Sequence, residues 1–167
     1  MKIQDWFKIG MKRDIPDLID AGTVQLNLGS GNTLMPSAVN LDLPEWDARK
    51  DNLPEVLVGT VDTIWASHFF ENLYGDNAIR MLRECEKSLK VGGTINIVVP
   101  YYTSMMQHQD LTHCSHWCEE TLRTLFKNHY YEQSVSKGEW KLNVHACFMM
   151  AIVERNLALF IQVVKTA

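Results

Sequence analysis

Near the C-terminus two apolar runs, residues 146–153 and 157–164, are separated only by Glu154, Arg155 and Asn156. So short a link can join neighbouring strands only as an antiparallel hairpin. Upstream, "TINIVVP" at 94–100 is apolar at almost every position, as a strand covered on both faces must be, and such strands belong to parallel sheets. Apolar runs and helical patterns alternate through the rest of the chain, so the expected fold is α/β, a mostly parallel sheet completed by a terminal antiparallel hairpin.

Strands are expected at 24–28, 39–41, 63–66 and 94–100, with a weak one near 49–53. Helices are expected at 14–21, where Ile15, Leu18 and Ile19 share a face closed by Gly22, and at 119–128, where Leu122, Leu125 and Phe126 fall together. The clearest helix is 76–90. Asp76 can cap it, Ile79, Leu82 and Leu89 line one side, Lys87 and Lys90 suit the negative end of its dipole, and Gly92-Gly93 can stop it.

A chain of 167 residues is one domain with a core of its own, and shares of 46% hydrophobic and 22% charged residues are those of an ordinary globular protein. The N-terminal "MKIQDWFKIG" has no apolar leader core, and the four cysteines fall in core-like segments, so reduced thiols in a cytoplasm are expected. The longest uncharged apolar run, 146–153, is far short of the ~20 residues of a membrane helix. Net charge is -4, with no basic cluster beyond Lys12-Arg13, which argues against nucleic acid as a main partner.

Gly29-Ser30-Gly31 follows the first expected strand directly. Such a pair marks a plain turn as readily as a site. Its place at the carboxyl end of a strand is where open α/β sheets bind ligands, and glycines there let backbone N–H groups approach an anion. Asp42 ends the next strand, where a carboxylate could accept both hydroxyls of a ribose. A dinucleotide fingerprint would want a third glycine where Leu34 stands and an acidic residue farther along, and an oxidoreductase would need a substrate domain for which the chain has no room. The ten residues 29–38 reach about 33–36 Å when extended. Returning along a five-residue strand takes about 17 Å and stepping sideways about 5 Å more, so the link closes only as an extended loop with at most one helical turn. Leu34 and Met35 should then cover the sheet where a helix would otherwise lie.

"LNLGSGNTLMPSAVNLDL", "VDTIWASHFFENL", "LRECEKSLKVGGTINIVVPYY" and "DLTHCSHWCEETLRTLF", in this order and spacing, resemble the class I S-adenosylmethionine-dependent methyltransferases, in particular small Methyltransf_11-like ones, over residues 24–130. The resemblance implies a Rossmann-like three-layer sandwich on a seven-stranded sheet, with 24–100 as the cofactor-binding half and 101–167 as lid, helix and hairpin. It implies that S-adenosyl-L-methionine is the cofactor. Asn27, Gly29, Ser30 and Gly31 would line its methionine part, Asp42 with Leu43 beside it would hold the ribose, and Asp51, Asn52 and Leu53 would frame the adenine. Ala66, Ser67 and His68 would lie by the transferable methyl. The chain departs from the family's pattern in lacking the third glycine, and in having Phe70-Glu71-Asn72 where "LEH" is usual.

Methyl transfer is a direct displacement that needs alignment and exclusion of water, and a base only if the acceptor must lose a proton. His68 is the first candidate base, against the plain alternative of a structural histidine. His113 is the second. It lies in "HQDLTHCSHWC", a stretch that would form a lid over the acceptor. A zinc site built from His113, Cys114, His116 and Cys118 fits no pair of ligand arms separated by a loop, and no metal is expected. Asp110 and His113 can instead fix the lid by hydrogen bonds while Trp117 packs beneath it. Tyr101 and Tyr102 could stack on an acceptor or simply pack, and Trp6 and Phe7 could close over it. The expectation is a methyltransferase acting on a small or mobile acceptor, with a catalytically silent cofactor-binding module as the alternative.

Overall fold

The structure, a computed structural model, describes residues 22–127, 139–153 and 156–167. The helix expected at 14–21, with Trp6 and Phe7, lies outside the described residues. Six strands form one sheet: β1 (Gln25–Leu28), β2 (Val39–Leu41), β3 (Val61–Ser67), β4 (Leu89–Pro100), β5 (Leu142–Val153) and β6 (Asn156–Lys165). Their spatial order is β2-β1-β3-β4-β6-β5. β1 pairs in parallel with β2 and β3, and β3 with β4, whereas β6 is antiparallel to both β4 and β5. The terminal hairpin is therefore present, and it fills the β4 edge with the sheet's single reversed strand.

Side-chain alternation sorts the sheet into two faces. Leu26 and Leu28 stand beside Ile64 and Ala66, these beside Ile95 and Ile97, and these beside Val163 and Ile161. This row is fully buried and packs with Ala78, Met81, Leu82 and Cys85 of α1 (Gly75–Ser88) and Leu122 of α3 (Glu120–Lys127) in one core cluster. The opposite face carries the row Asn27, Trp65, Asn96 and Gln162, in which Gln162 Nε2 donates to Asn96 Oδ1 at 2.9 Å. Polar groups half out of water are stable in such a row because each finds a neighbour across the strands. A short helix, α2 (Met105–Gln109), follows β4, with Ser104 Oγ accepting from the Met106 N–H at its start.

Three expectations are corrected. Residues 49–53 form no strand, so the described sheet has six strands and not seven: Asp47 captures the N–H groups of Arg49 with its carboxylate and of Lys50 and Asp51 with its carbonyl, leaving none for a ladder. Asp76 does not cap α1; Tyr74 occupies that position without a side-chain bond, and Asp76 lies in the first turn, where its charge still suits the dipole. Finally, the helix ends at Ser88 and not at Gly92-Gly93. Leu89 is already extended, at φ -68 and ψ 142, and pairs with Val61. Lys90 to Gly93 then bulge out before the ladder resumes at Thr94, Gly92 with φ 83, and a Cβ on Gly93 would stand 3.0 Å from the Val61 carbonyl oxygen. The glycine pair serves a strand irregularity, not a helix cap.

Between β1 and β2 no helix forms, as the reach of ten residues requires, and Leu34 and Met35 are half-buried in the linking loop.

Candidate functional site

The chain leaves β1 toward β2 on one side of the sheet, and the next strand, β3, lies on the other, so the strand order reverses at β1. In open α/β sheets the crevice at the carboxyl ends of such strands is the ligand site. Here those ends carry Gly29-Ser30-Gly31 after β1, Asp42 after β2 and His68 after β3. Of the cavities that open there, two meet at the end of β1. One, of about 270 Å³, is lined by Asn27, Ser30, Thr33, Met35, Trp65, Ala66, Ser67, Asn96, Val98 and Phe160. The other, of about 410 Å³, is lined by Asp42, Leu43, Trp46, Asp47, Ala48, Arg49, Phe69, Asn72 and Leu73. Gly29, Gly31 and His68 line both, and so form the partition between them.

The partition is built by close approach. Gly29 and Gly31 have φ 66 and 50, the left-handed region where a side chain is costly. A Cβ on Gly29 would also lie 2.7 Å from Phe69 Cδ2, whereas one on Gly31 would meet only Asp42 Oδ2, at 4.0 Å. The loop's own bonds use its amides: the Gly29 and Ser30 N–H groups donate to the Leu41 carbonyl and the Gly31 N–H to Asp42 Oδ2. These glycines therefore supply backbone shape more than free donors. Asp42 Oδ1 accepts from the Leu43 N–H at 2.8 Å. A carboxylate has about four lone-pair positions, so both oxygens keep capacity to accept hydroxyls.

The second cavity's outer wall is 46–49. Asp47 takes Arg49 through two bonds, Nε to Oδ1 at 2.8 Å and Nη2 to Oδ2 at 2.9 Å. Those hydrogen bonds hold the Asp47 carboxyl well below the usual carboxylate range and raise Arg49 in turn. Asp51, Asn52 and Leu53 line neither cavity. Asp51 Oδ2 accepts from the Asp47 N–H, Asn52 oxygens accept from Trp46 Nε1 and Arg80, and Leu53 is buried in the core, so the three support the wall from behind.

His68 sits at φ 53, its N–H donating to the Val98 carbonyl, with its ring in reach of both cavities. Its Nδ1 is 3.0 Å from Glu71 Oε1. Glu71 is fully buried, in the short 3-10 helix Phe70–Asn72. That turn is stitched to the expected lid: the Cys114 and Ser115 N–H groups donate to the Glu71 carbonyl, Ser115 Oγ to the Phe70 carbonyl, and Thr112 Oγ1 to Asn72 Oδ1. His113 stands apart. It lines neither cavity, its Nδ1 is 3.2 Å from the Gln107 carbonyl oxygen, and Asp110 spends Oδ1 on Thr112. Trp117 is buried against Phe70, and Tyr101 reaches Glu119 with its hydroxyl at 3.2 Å. Among the described residues no group of three or more His, Cys, Asp or Glu side chains is placed to hold a metal ion, and no helix is long and apolar enough to cross a membrane.

Four contributors escaped the sequence reading: the 46–49 wall, Phe69 behind Gly29, Glu71 behind His68, and Asn40 of β2, whose side chain bonds the N–H and the carbonyl of Met35 in the loop. Asp47 and Arg49, two residues apart just past an acidic strand end, were the only local signal for any of them.

No family model matches the chain, and no curated protein does. Solved structures do. A single-residue variant of the 16S rRNA (adenine(1408)-N(1))-methyltransferase from Catenulisporales acidiphilia aligns over 94% of each chain at 11% identity and TM-score 0.60. An S-adenosylmethionine-dependent methyltransferase from Archaeoglobus fulgidus aligns over 88% of this chain and 89% of its own at 15% identity and TM-score 0.55. The 1,6-didemethyltoxoflavin-N1-methyltransferase of Burkholderia thailandensis, crystallised with S-adenosylhomocysteine, aligns over 89% of this chain and 74% of its own at 10% identity and TM-score 0.56. At such identities the likeness is one of fold, and the fold of this chain is that of the class I S-adenosylmethionine-dependent methyltransferases.

Proposed function

We propose that this chain is an S-adenosylmethionine-dependent methyltransferase acting on a small or mobile acceptor. The observation that carries the reading is the pair of cavities meeting at Gly29, Gly31 and His68, at the reversal of strand order, with Asp42 on the wall of one of them. When bound, the cofactor supplies an electrophilic methyl group on a sulfonium. The residues present fit it. Asp42 has acceptor capacity left for two ribose hydroxyls, the Asp47–Arg49 ion pair walls the cavity beyond, and the space over Gly31 is open to at least the depth of a Cβ. Adenosine then belongs in the larger cavity, walled by 46–49 where 51–53 was expected, and the methionine part passes the glycine partition toward Ala66, Ser67 and His68.

The chain's own residues do the rest. Gly29 and Gly31 let the ligand approach the backbone, Phe69 and Trp46 keep the adenosine side dry, and the smaller cavity presents Trp65, Phe160 and Val98 as an apolar seat with Asn96 as a polar contact. Its volume of about 270 Å³ must also take the end of the methionine part, so it suits only a small acceptor or the protruding part of a larger one.

Calorimetry with S-adenosylmethionine, S-adenosylhomocysteine and NAD tests this. Binding of the first two and not of NAD is expected; binding of NAD alone, or of none, overturns it. Tight cofactor binding with no methylated product from a broad acceptor screen would favour the silent binding module.

A further inference from the structure

Glu71 is 0% exposed, and among the described residues the His68 ring is the one ion-pair partner in reach of its carboxyl. Its Oε1 faces His68 Nδ1 at 3.0 Å, and its Oε2 is buried with no hydrogen-bond partner among the described residues. A buried carboxylate with an unpaired oxygen costs stability, and a left-handed non-glycine residue costs more, of order 1–3 kcal/mol in such regions. Two unfavourable features spent on one contact, beside a ring that lines both cavities, mark a functional constraint better than packing does.

Resting on the methyltransferase reading, we propose that Glu71 is the positioning residue that makes His68 a general base, and that the acceptor it serves is a protonated oxygen nucleophile, a phenol or alcohol. With Glu71 as the acceptor of this contact, Nδ1 of His68 carries the proton and Nε2 keeps its lone pair for the acceptor's hydroxyl. In the reaction the acceptor oxygen forms the new O–C bond as the methyl–sulfur bond breaks, the bonding pair remaining on sulfur as a neutral thioether. The hydroxyl proton passes to Nε2, and the imidazolium so formed is balanced by Glu71. The turn keeps this geometry because Cys114, Ser115 and Thr112 tie it to the segment after α2.

The first test is spectroscopic and needs no acceptor. Long-range proton–nitrogen correlation spectra of the wild-type chain should show His68 as the Nδ1-protonated tautomer, and Glu71→Gln, which can donate as well as accept, should mix the two. An Nε2-protonated wild type, or unchanged tautomers in Glu71→Gln, overturns the positioning role. The second test uses two phenols as probes with S-adenosylmethionine. 4-Nitrocatechol is largely ionised near neutral pH and needs little help, whereas catechol is not. His68→Asn, which tolerates the left-handed backbone, should cost at least tenfold more on catechol than on 4-nitrocatechol. Equal losses on both, or turnover of neither by wild type, overturns the base role and the acceptor class. If wild type fails to bind S-adenosylmethionine, the methyltransferase reading falls, while the tautomer result still stands or fails separately.

Discussion

Asn27 and Asn40 are register partners in the parallel pair β1–β2, and Asn27 Nδ2 donates to Asn40 Oδ1 at 2.8 Å. Asn40 makes three further bonds: its Oδ1 accepts from the Met35 N–H, and its Nδ2 donates to the Met35 and Ala38 carbonyls. One side chain thus fastens the far half of a loop that has no helix of its own. Asn40→Ala is expected to lower stability by about 2 kcal/mol, and Asn40→Asp, which keeps the acceptor but turns a carboxylate oxygen onto the Met35 and Ala38 carbonyls, by at least as much. A shift of the urea midpoint at unchanged slope would show it.

Gly29 and Gly59 separate two costs of a side chain. Both have positive φ, 66 and 68, but only at Gly29 would a Cβ collide, with Phe69; at Gly59 it meets nothing within 4 Å. Gly59→Ala should cost about 1–2 kcal/mol, the backbone term alone. Gly29→Ala should cost clearly more and weaken S-adenosylmethionine binding, as thermal unfolding and calorimetry would record. Equal costs would mean that Phe69 moves freely.

Asp42→Asn replaces one carboxylate oxygen by an amide NH2, yet both oxygens face backbone donors, those of Gly31 and Leu43. A donor is thereby set against a donor. We expect stability to fall by about 1 kcal/mol and cofactor affinity by about 1–3 kcal/mol. Unchanged affinity by calorimetry would remove Asp42 from the site.

Asp62 is pushed up by burial, but its hydrogen bonds from Lys90 and the Val24 N–H outweigh that and leave its carboxyl below the ordinary range. A carboxylate depressed in the folded state stabilises at pH values above its unfolded value, and this contribution is lost as pH falls through the depressed one. Stability should thus decline below about pH 4. The decline should be shallower in Lys90→Met, which urea titrations at pH 7 and pH 3 would detect.

Much of the site could be read from the sequence because its parts lie where chain pattern alone puts them. Gly29, Gly31, Asp42 and Ala66 to His68 each follow an apolar run at its carboxyl end, and pattern fixes strand ends well. What could not be read depends on contacts across long sequence separations. Phe69 matters to Gly29 because β3 lies beside β1, and Arg80 of α1 holds the 48–52 turn by bonds to Ala48, Asp51 and Asn52. The missing strand and the premature helix end have local causes that periodicity does not see. Asp47 gathers three successive amides, and Leu89 passes from helix to strand with no intervening loop, so the glycines after it do different work.

β2 is only three residues long and lies on the sheet's rim, yet Leu41 and Asp42, at its end, hold the amides of 29, 30 and 31. The pocket's shape is therefore a report on whether the rim is docked. Fraying of β2 and opening of the pocket are one local equilibrium, and a ligand that needs the closed form must suppress both. Saturating S-adenosylmethionine should accordingly slow amide hydrogen exchange at Leu41 more than at Ile97 in the sheet's centre, so that a molecule resting on the glycines acts as the clasp that keeps the outermost strand sewn to the protein.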